Sequence, residues 1–241
     1  MKNRLLNLLL LTLLFIGQSA YATEPLSAKR FDPQAKVKAQ SAFEQANAYA
    51  KQKKYKKALE YLKTSYEYEQ ADGTAFNFGV VYEALKDYEN AIKWYKQSFE
   101  MGKIDGGVNL GLLYKEHDEY IKSEQWYKKA IHKGSIQGLF NLALLYEEKL
   151  NDIPNAIEWY KKAINAGDVD AYDNISLLYH DIKKDNLTAS AYYIATIDKS
   201  YSKKQILDFL RNDWKIDETT LKKAYELQKA LVPNPYRGGI D

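Results

Sequence analysis

Four asparagines recur along the chain at near-constant spacing. Asn77, Asn109, Asn141 and Asn174 stand 32, 32 and 33 residues apart, and each opens a copy of Asn-x-small-x-x-Tyr. A primary amide both donates and accepts hydrogen bonds, so this ladder suits recognition of a polypeptide backbone without side-chain specificity. The same residues can serve the fold instead, because a repeat residue contacts its neighbouring repeats first. Little else in the chain could do chemistry. His117, His132 and His180 fall in different copies, with no His-Glu-x-x-His pair and no cysteine in the chain. A zinc or nucleophile site needs several such groups converging. Gly106-Gly107 lacks the rest of a phosphate-loop pattern. The expectation is therefore no metal, no cofactor and no enzymatic activity, with binding as the function class.

The elements that carry these residues follow from the period. A fixed step of this size marks a solenoid, here all-α, in which each unit buries its face only against its neighbours. Apolar residues recur at three and four within each half of the unit, as helices require. The spacing predicts helix A of successive units over 74–85, 106–116, 137–149 and 171–182. Helix B is predicted over 88–101, 120–133, 153–166 and 187–199. Gly102, Gly134 and Gly167 end B helices, where a left-handed residue is common. Asp87, Asp118, Asp152 and Asp185 stand where they can accept the free N–H groups of a B helix's first turn.

A looser unit over 34–68 has Tyr49 and Tyr61 in register with Tyr82 and Trp94, but lacks the Asn signature. It is expected to cap the N-terminal end, since terminal repeats are usually atypical. At the other end, Ser202 and Gln205 form a capping box that opens a helix over 203–212. A last helix is expected over 218–232, with Leu207, Leu210, Leu221, Tyr225 and Leu231 facing the stack. The organisation is thus five helix-pair repeats over 34–200, capping helices over 201–232 and a tail over 233–241. The tail, rich in Pro and Gly, is either a loose end or a strap across the last pair.

The first 22 residues read as a cleaved export signal. Lys2 and Arg4 precede a short apolar run over 5–16, and Ala20-Tyr21-Ala22 gives a small-x-small site. The mature chain then begins at Thr23 with a flexible leader over 23–33, and no stable membrane span remains, because the run is too short to cross a bilayer. Without Lys2 and Arg4, the 35 basic residues become 33 against 32 acidic ones, a net charge of about +1. This argues against nucleic acid, which needs a concentrated basic face. The expected location is the periplasm of a Gram-negative bacterium, and the expected state is a monomer.

An aromatic pair follows each copy: Trp94-Tyr95, Trp126-Tyr127, Trp159-Tyr160 and Tyr192-Tyr193. Taken with Gly79, Tyr82, Ala91 and Gly102 and their counterparts, the units resemble tetratricopeptide-type repeats, and more narrowly the Sel-one-like kind. The loop between helices A and B is shorter than that kind often carries. The small residue at Gly79, Gly111, Ala143 and Ser176 lets helix A approach helix B, where the aromatic rings fill the space.

The resemblance implies a concave face that captures a protein partner, with Asn77, Asn109, Asn141 and Asn174 on it. One turn further along the A helices come Glu83, Lys115, Glu116, Glu147, Glu148, His180 and Asp181. Acidic residues outnumber basic ones there, which suits a basic partner and a salt-sensitive association rate. The peptide-carboxylate clamp of chaperone-binding relatives needs Lys and Arg beside the asparagines. Here those neighbours are Phe76, Val108, Phe140 and Asp173. Periplasmic Sel-one-like proteins include immunity factors that block lipase-type toxins delivered by type VI secretion. A toxin effector is thus one expected partner, and an envelope protein, with the chain as assembly adaptor, is the other.

Overall fold

Residues 34–240 are described in the computed structural model; the export segment 1–22, the cleavage point before Thr23 and the leader 23–33 lie outside them. Twelve α-helices and no strand make up the described residues. They form antiparallel pairs: α1 (Ala35–Lys51) with α2 (Tyr55–Tyr68), α3 (Asp72–Ala84) with α4 (Tyr88–Glu100), and α5 (Ile104–Glu116) with α6 (Tyr120–His132). Then come α7 (Ile136–Glu148) with α8 (Ile153–Asn165), and α9 (Asp170–Leu177) with α10 (Asn186–Ile194). The last two helices are α11 (Lys203–Asn212) and α12 (Glu218–Leu231), of which α12 packs extensively on α10.

Helix ends follow local chemistry in most units. Asp87, Asp152 and Asp185 each accept the backbone N–H three residues on, at 3.3, 3.2 and 3.0 Å. Asp118 departs from the expectation. It sits at φ +59° inside the turn, the helix N-cap falls on Glu119, and no side chain caps α6. The Asp118 carboxylate accepts from the Tyr120 hydroxyl instead, at 2.6 Å. Gly102, Gly134 and Gly167 lie at positive φ after the B helices, where an L side chain would be strained.

Two predicted helices end differently from their sequence pattern. The A helix over 171–182 is regular only to Leu177 and widens into a π-helical turn over Leu178–Ile182. The cause is an inserted residue. Tyr82 to Trp94 and Tyr114 to Trp126 span 12 positions, whereas Tyr146 to Trp159 and Tyr179 to Tyr192 span 13. In both of these pairs the capping aspartate's N–H reaches back six residues, Asp152 to Tyr146 C=O and Asp185 to Tyr179 C=O, and in the fifth the end of the helix also widens. The B helix expected to reach 199 stops at Ile194, and a turn closed by Ile197 and Tyr201 follows.

The aromatic pair divides its work. Tyr95, Tyr127 and Tyr160, the second ring of each aromatic pair, are fully buried within their own hairpins, whereas in the fifth it is the first ring, Tyr192, that is buried and Tyr193 that is half-buried. A Cβ at Gly79 would run into the Tyr95 ring, and one at Gly111 into the Tyr127 ring. The tryptophans reach back instead. Trp94 stacks on Phe78 at 4.2 Å and meets Tyr66 of the preceding pair edge-on at 5.3 Å, and Trp126 meets Phe99 at 5.6 Å. One ring of each pair therefore locks the hairpin, and the other joins it to its neighbour.

The A helices also touch one another, α3 with α5 and α5 with α7, while successive B helices make at most marginal contact. The tighter spacing puts the A helices on the inner side of the curve. The tail is a strap on the last helix. Gln228, fully buried, donates to Tyr236 C=O at 2.6 Å and accepts from Tyr236 N–H at 3.0 Å. Ile240 is buried in the same C-terminal core as Leu207, Leu210 and Leu221.

Candidate inner-face site

In the second and fourth pairs the buried tyrosine of the B helix ends at the inner helices, and there a polar relay forms. In the second pair Tyr95 donates to Glu83 at 2.5 Å, and Asn109 of the third pair lies beside the same hydroxyl and acts to lower its pKa. In the fourth pair Tyr160 donates to Glu147 at 2.6 Å, and Asn174 of the fifth pair donates to that hydroxyl at 3.0 Å. The unit is thus carboxylate, phenol and amide, running from one A helix through its B helix to the next A helix. Burial, then the bond to the neighbouring Glu, pushes both phenols well above the ordinary tyrosine range. Burial also raises the Glu147 carboxyl against the opposing Tyr160 bond, with Glu148 adding to the rise.

The asparagine ladder is therefore a structural device over most of its length. Asn109 and Asn174 are half-buried and engaged with the preceding unit. Asn77 has no phenol behind it, because Leu62 stands where Tyr95 stands one unit later, and it donates to Asn47 at 2.6 Å. Two of the four asparagines, Asn77 and Asn174, thus spend their amide protons within the stack.

The third pair breaks the relay. Its carboxylate position holds Lys115, which cannot accept a hydrogen bond. Lys115 turns to Glu148 at 3.4 Å. The Tyr127 hydroxyl and the Asn141 amide nitrogen are left buried with no hydrogen-bond partner among the described residues. Asn141 is also the most enclosed of the ladder, at 8% exposed. Each unpaired group of this kind costs about 1–3 kcal/mol.

The acidic face is smaller than the sequence suggests. Glu83 and Glu147 are turned into their own tyrosines, and Glu148 is paired with Lys115. Glu116 and Asp181 remain exposed. His180 occupies the relay position of the fifth pair, but it stacks flat on Trp214 at 4.0 Å and 9° and bonds Asp181 at 2.7 Å. It therefore joins the C-terminal cap to the inner face.

A second row escaped the sequence reading. Three residues after each asparagine stand Val80, Leu112, Leu144 and Leu177. Val80 is 39% exposed and Leu177 46%, while Leu112 and Leu144 are half-buried. A hydrophobic residue at fixed register on four inner helices was visible in the sequence, but it was masked by the apolar residues of the packing face. A cavity of about 220 Å³ opens beside the first of these, lined by Ala46, Asn47, Asn77 and Val80. Among the described residues no three His, Cys, Asp or Glu side chains could hold a metal, and no helix is long and apolar enough to cross a membrane.

The comparisons with known proteins agree with this architecture. A tetratricopeptide repeat family model matches residues 74–101 and 136–166. No curated protein matches the chain in sequence. Among solved structures, Pseudomonas aeruginosa pilF is similar at a TM-score of 0.57 and 14% identity, over 83% of this chain and 94% of that one. The c5321 protein of uropathogenic Escherichia coli, a protective antigen with an SLR fold, is similar at 0.58 and 23% identity. That likeness covers 82% of this chain but only 46% of the antigen. A Sel1 repeat protein from Oxalobacter formigenes is similar at 0.52 and 23% identity, over 78% of this chain and 82% of that one. At these identities the likeness is one of fold.

Proposed function

From the premise that the chain is a repeat protein of the tetratricopeptide type, we propose that its inner face captures a protein partner along the row Val80, Leu112, Leu144 and Leu177. The exposure of that row carries the reading. Apolar side chains at one register on neighbouring inner helices make a stripe rather than scattered exposures. Packed helices stand about 8–10 Å apart, a spacing met by every third residue of an extended chain or by two turns of a helix. Val80→Glu with Leu177→Glu should abolish capture of the partner. Ile121→Glu, at an exposed apolar residue on the B helix α6, should leave it intact. Equal capture by both variants would remove the inner face from consideration.

The location and partner follow from the N-terminal segment and the absence of a catalytic constellation in the sequence. The chain is exported to the periplasm, where it acts as a monomeric immunity factor against a lipase-type toxin of type VI secretion. Intact-mass measurement of periplasmic protein should place the mature N-terminus at Thr23. Cells that express the neighbouring-gene toxin in the periplasm should survive only when this chain is present. Survival unchanged, with envelope-assembly genes as neighbours, would favour the adaptor role instead.

A further inference from the structure

We propose that the third pair carries a seat for one carboxylate of the partner, formed by Tyr127, Asn141 and Lys115. The chain's own repeats show what the site takes. On both sides of it, a tyrosine hydroxyl and the following asparagine amide come together with a glutamate, in Glu83–Tyr95–Asn109 and Glu147–Tyr160–Asn174. In the third pair the tyrosine and asparagine are kept, while the glutamate is replaced by the one side chain of opposite charge in this register. By repeat register, two donors and a cation thus hold the positions at which the neighbouring units bring a hydroxyl and an amide to an anion. Among the described residues neither the buried hydroxyl nor the amide nitrogen makes a hydrogen bond, the hydroxyl having beside it only the Ser123 side chain, which already donates to Gly111 C=O at 2.7 Å, and Asn141 is more than nine-tenths buried.

The hydroxyl lies at the inner surface rather than deep in the stack. Its neighbours include Glu116 and Glu148, both exposed on inner helices. At the glutamate's register stands Lys115, whose side chain is 17% exposed and pairs with Glu148, 47% exposed, at 3.4 Å. A lysine on a four-carbon stem can leave such a contact at little cost. An incoming Asp or Glu side chain replaces Glu148 as the ammonium's partner and accepts from Tyr127 and Asn141, as Glu147 accepts from Tyr160. The exchange leaves the count of ion pairs unchanged and satisfies two buried groups, which is where binding gains over the free state. Glu148 is thus a resident competitor, and Glu116 keeps the seat selective for a carboxylate that reaches Lys115.

The biological occupant rests on the proposed capture by the inner face, but the seat can be read without any partner. The probe is sodium acetate, titrated at constant ionic strength and followed by the Asn141 side-chain amide resonance. Acetate should shift that resonance saturably in the mature protein, with acetamide producing no comparable shift. Glu148→Gln should tighten the acetate response at least about threefold, by removing the competitor. Lys115→Glu should abolish the response and raise Tm by roughly 3 °C, because the variant supplies the carboxylate from within. Tyr127→Phe removes only an unpaired hydroxyl, keeps the fold and should weaken the response. No saturable shift, an equal shift with acetamide, or an unchanged response in Tyr127→Phe and Lys115→Glu would each overturn the seat. Failed capture with an intact acetate response would overturn the capture reading alone.

Discussion

The second and fourth pairs are built alike, and the third pair differs from both at the same places. In the second and fourth, a glutamate receives the buried tyrosine, and an aspartate caps the B helix. In the third, Lys115 replaces the glutamate, Asp118 leaves the cap position, and Tyr127 and Asn141 lack partners. The apolar packing is the same in all three, with a small residue against a buried ring. A repeat therefore has two separable layers. Its apolar layer cannot vary without losing the stack, while its polar layer can be opened in one unit, leaving a local deficit that the neighbours tolerate.

The comparison can be broken first in the apolar layer, where the largest effects are expected. Gly79→Ala and Gly111→Ala should each destabilise the stack by about 2–3 kcal/mol, measured by denaturant unfolding, because a Cβ meets a ring that has no room to move. The two costs should agree. A large difference would mean that the third pair is also looser in its packing.

In the polar layer the units should part. Tyr160→Phe should cost about 1.5–3 kcal/mol, since it strands the half-buried Glu147 carboxylate and the Asn174 amide. Tyr127→Phe should be within about 0.5 kcal/mol of the parent, because its hydroxyl has no bond to lose. Equal costs would show that Tyr127 has a partner after all. Next, Asp87→Ala and Asp152→Ala should each lose about 1 kcal/mol with the cap, whereas Asp118→Ala should lose clearly less. The smallest effect belongs to the amides. Asn174→Ala should cost about 1 kcal/mol and Asn141→Ala close to nothing, read from the same unfolding curves.

Much of this architecture was legible along the chain. The steps between Asn77, Asn109, Asn141 and Asn174 located the units, and Gly102, Gly134 and Gly167 marked their ends. The caps at Asp87, Asp152 and Asp185 and the box at Ser202 and Gln205 were readable because a cap acts on residues two or three positions away. The π-helical turn after Leu177 was not readable, although the extra residue was countable, because an insertion can be absorbed in a loop or in a helix. The candidate site was legible only as a set of inner-face positions. Glu83 and Glu147 were read as groove acids, and nothing in their local pattern says that a tyrosine twelve or thirteen residues on will claim them.

By itself the sequence determined what depends on short spacing: helical pairs, their order, their turns and the small residue beneath each ring. The tertiary structure alone decided which polar groups are spent and which remain, since those bonds cross from one hairpin to the next. Asn174 meets Tyr160 and Asn109 meets Tyr95 only after the stack has closed. Lys115 becomes meaningful at the same moment, when the carboxylate position it occupies is seen to face a buried hydroxyl.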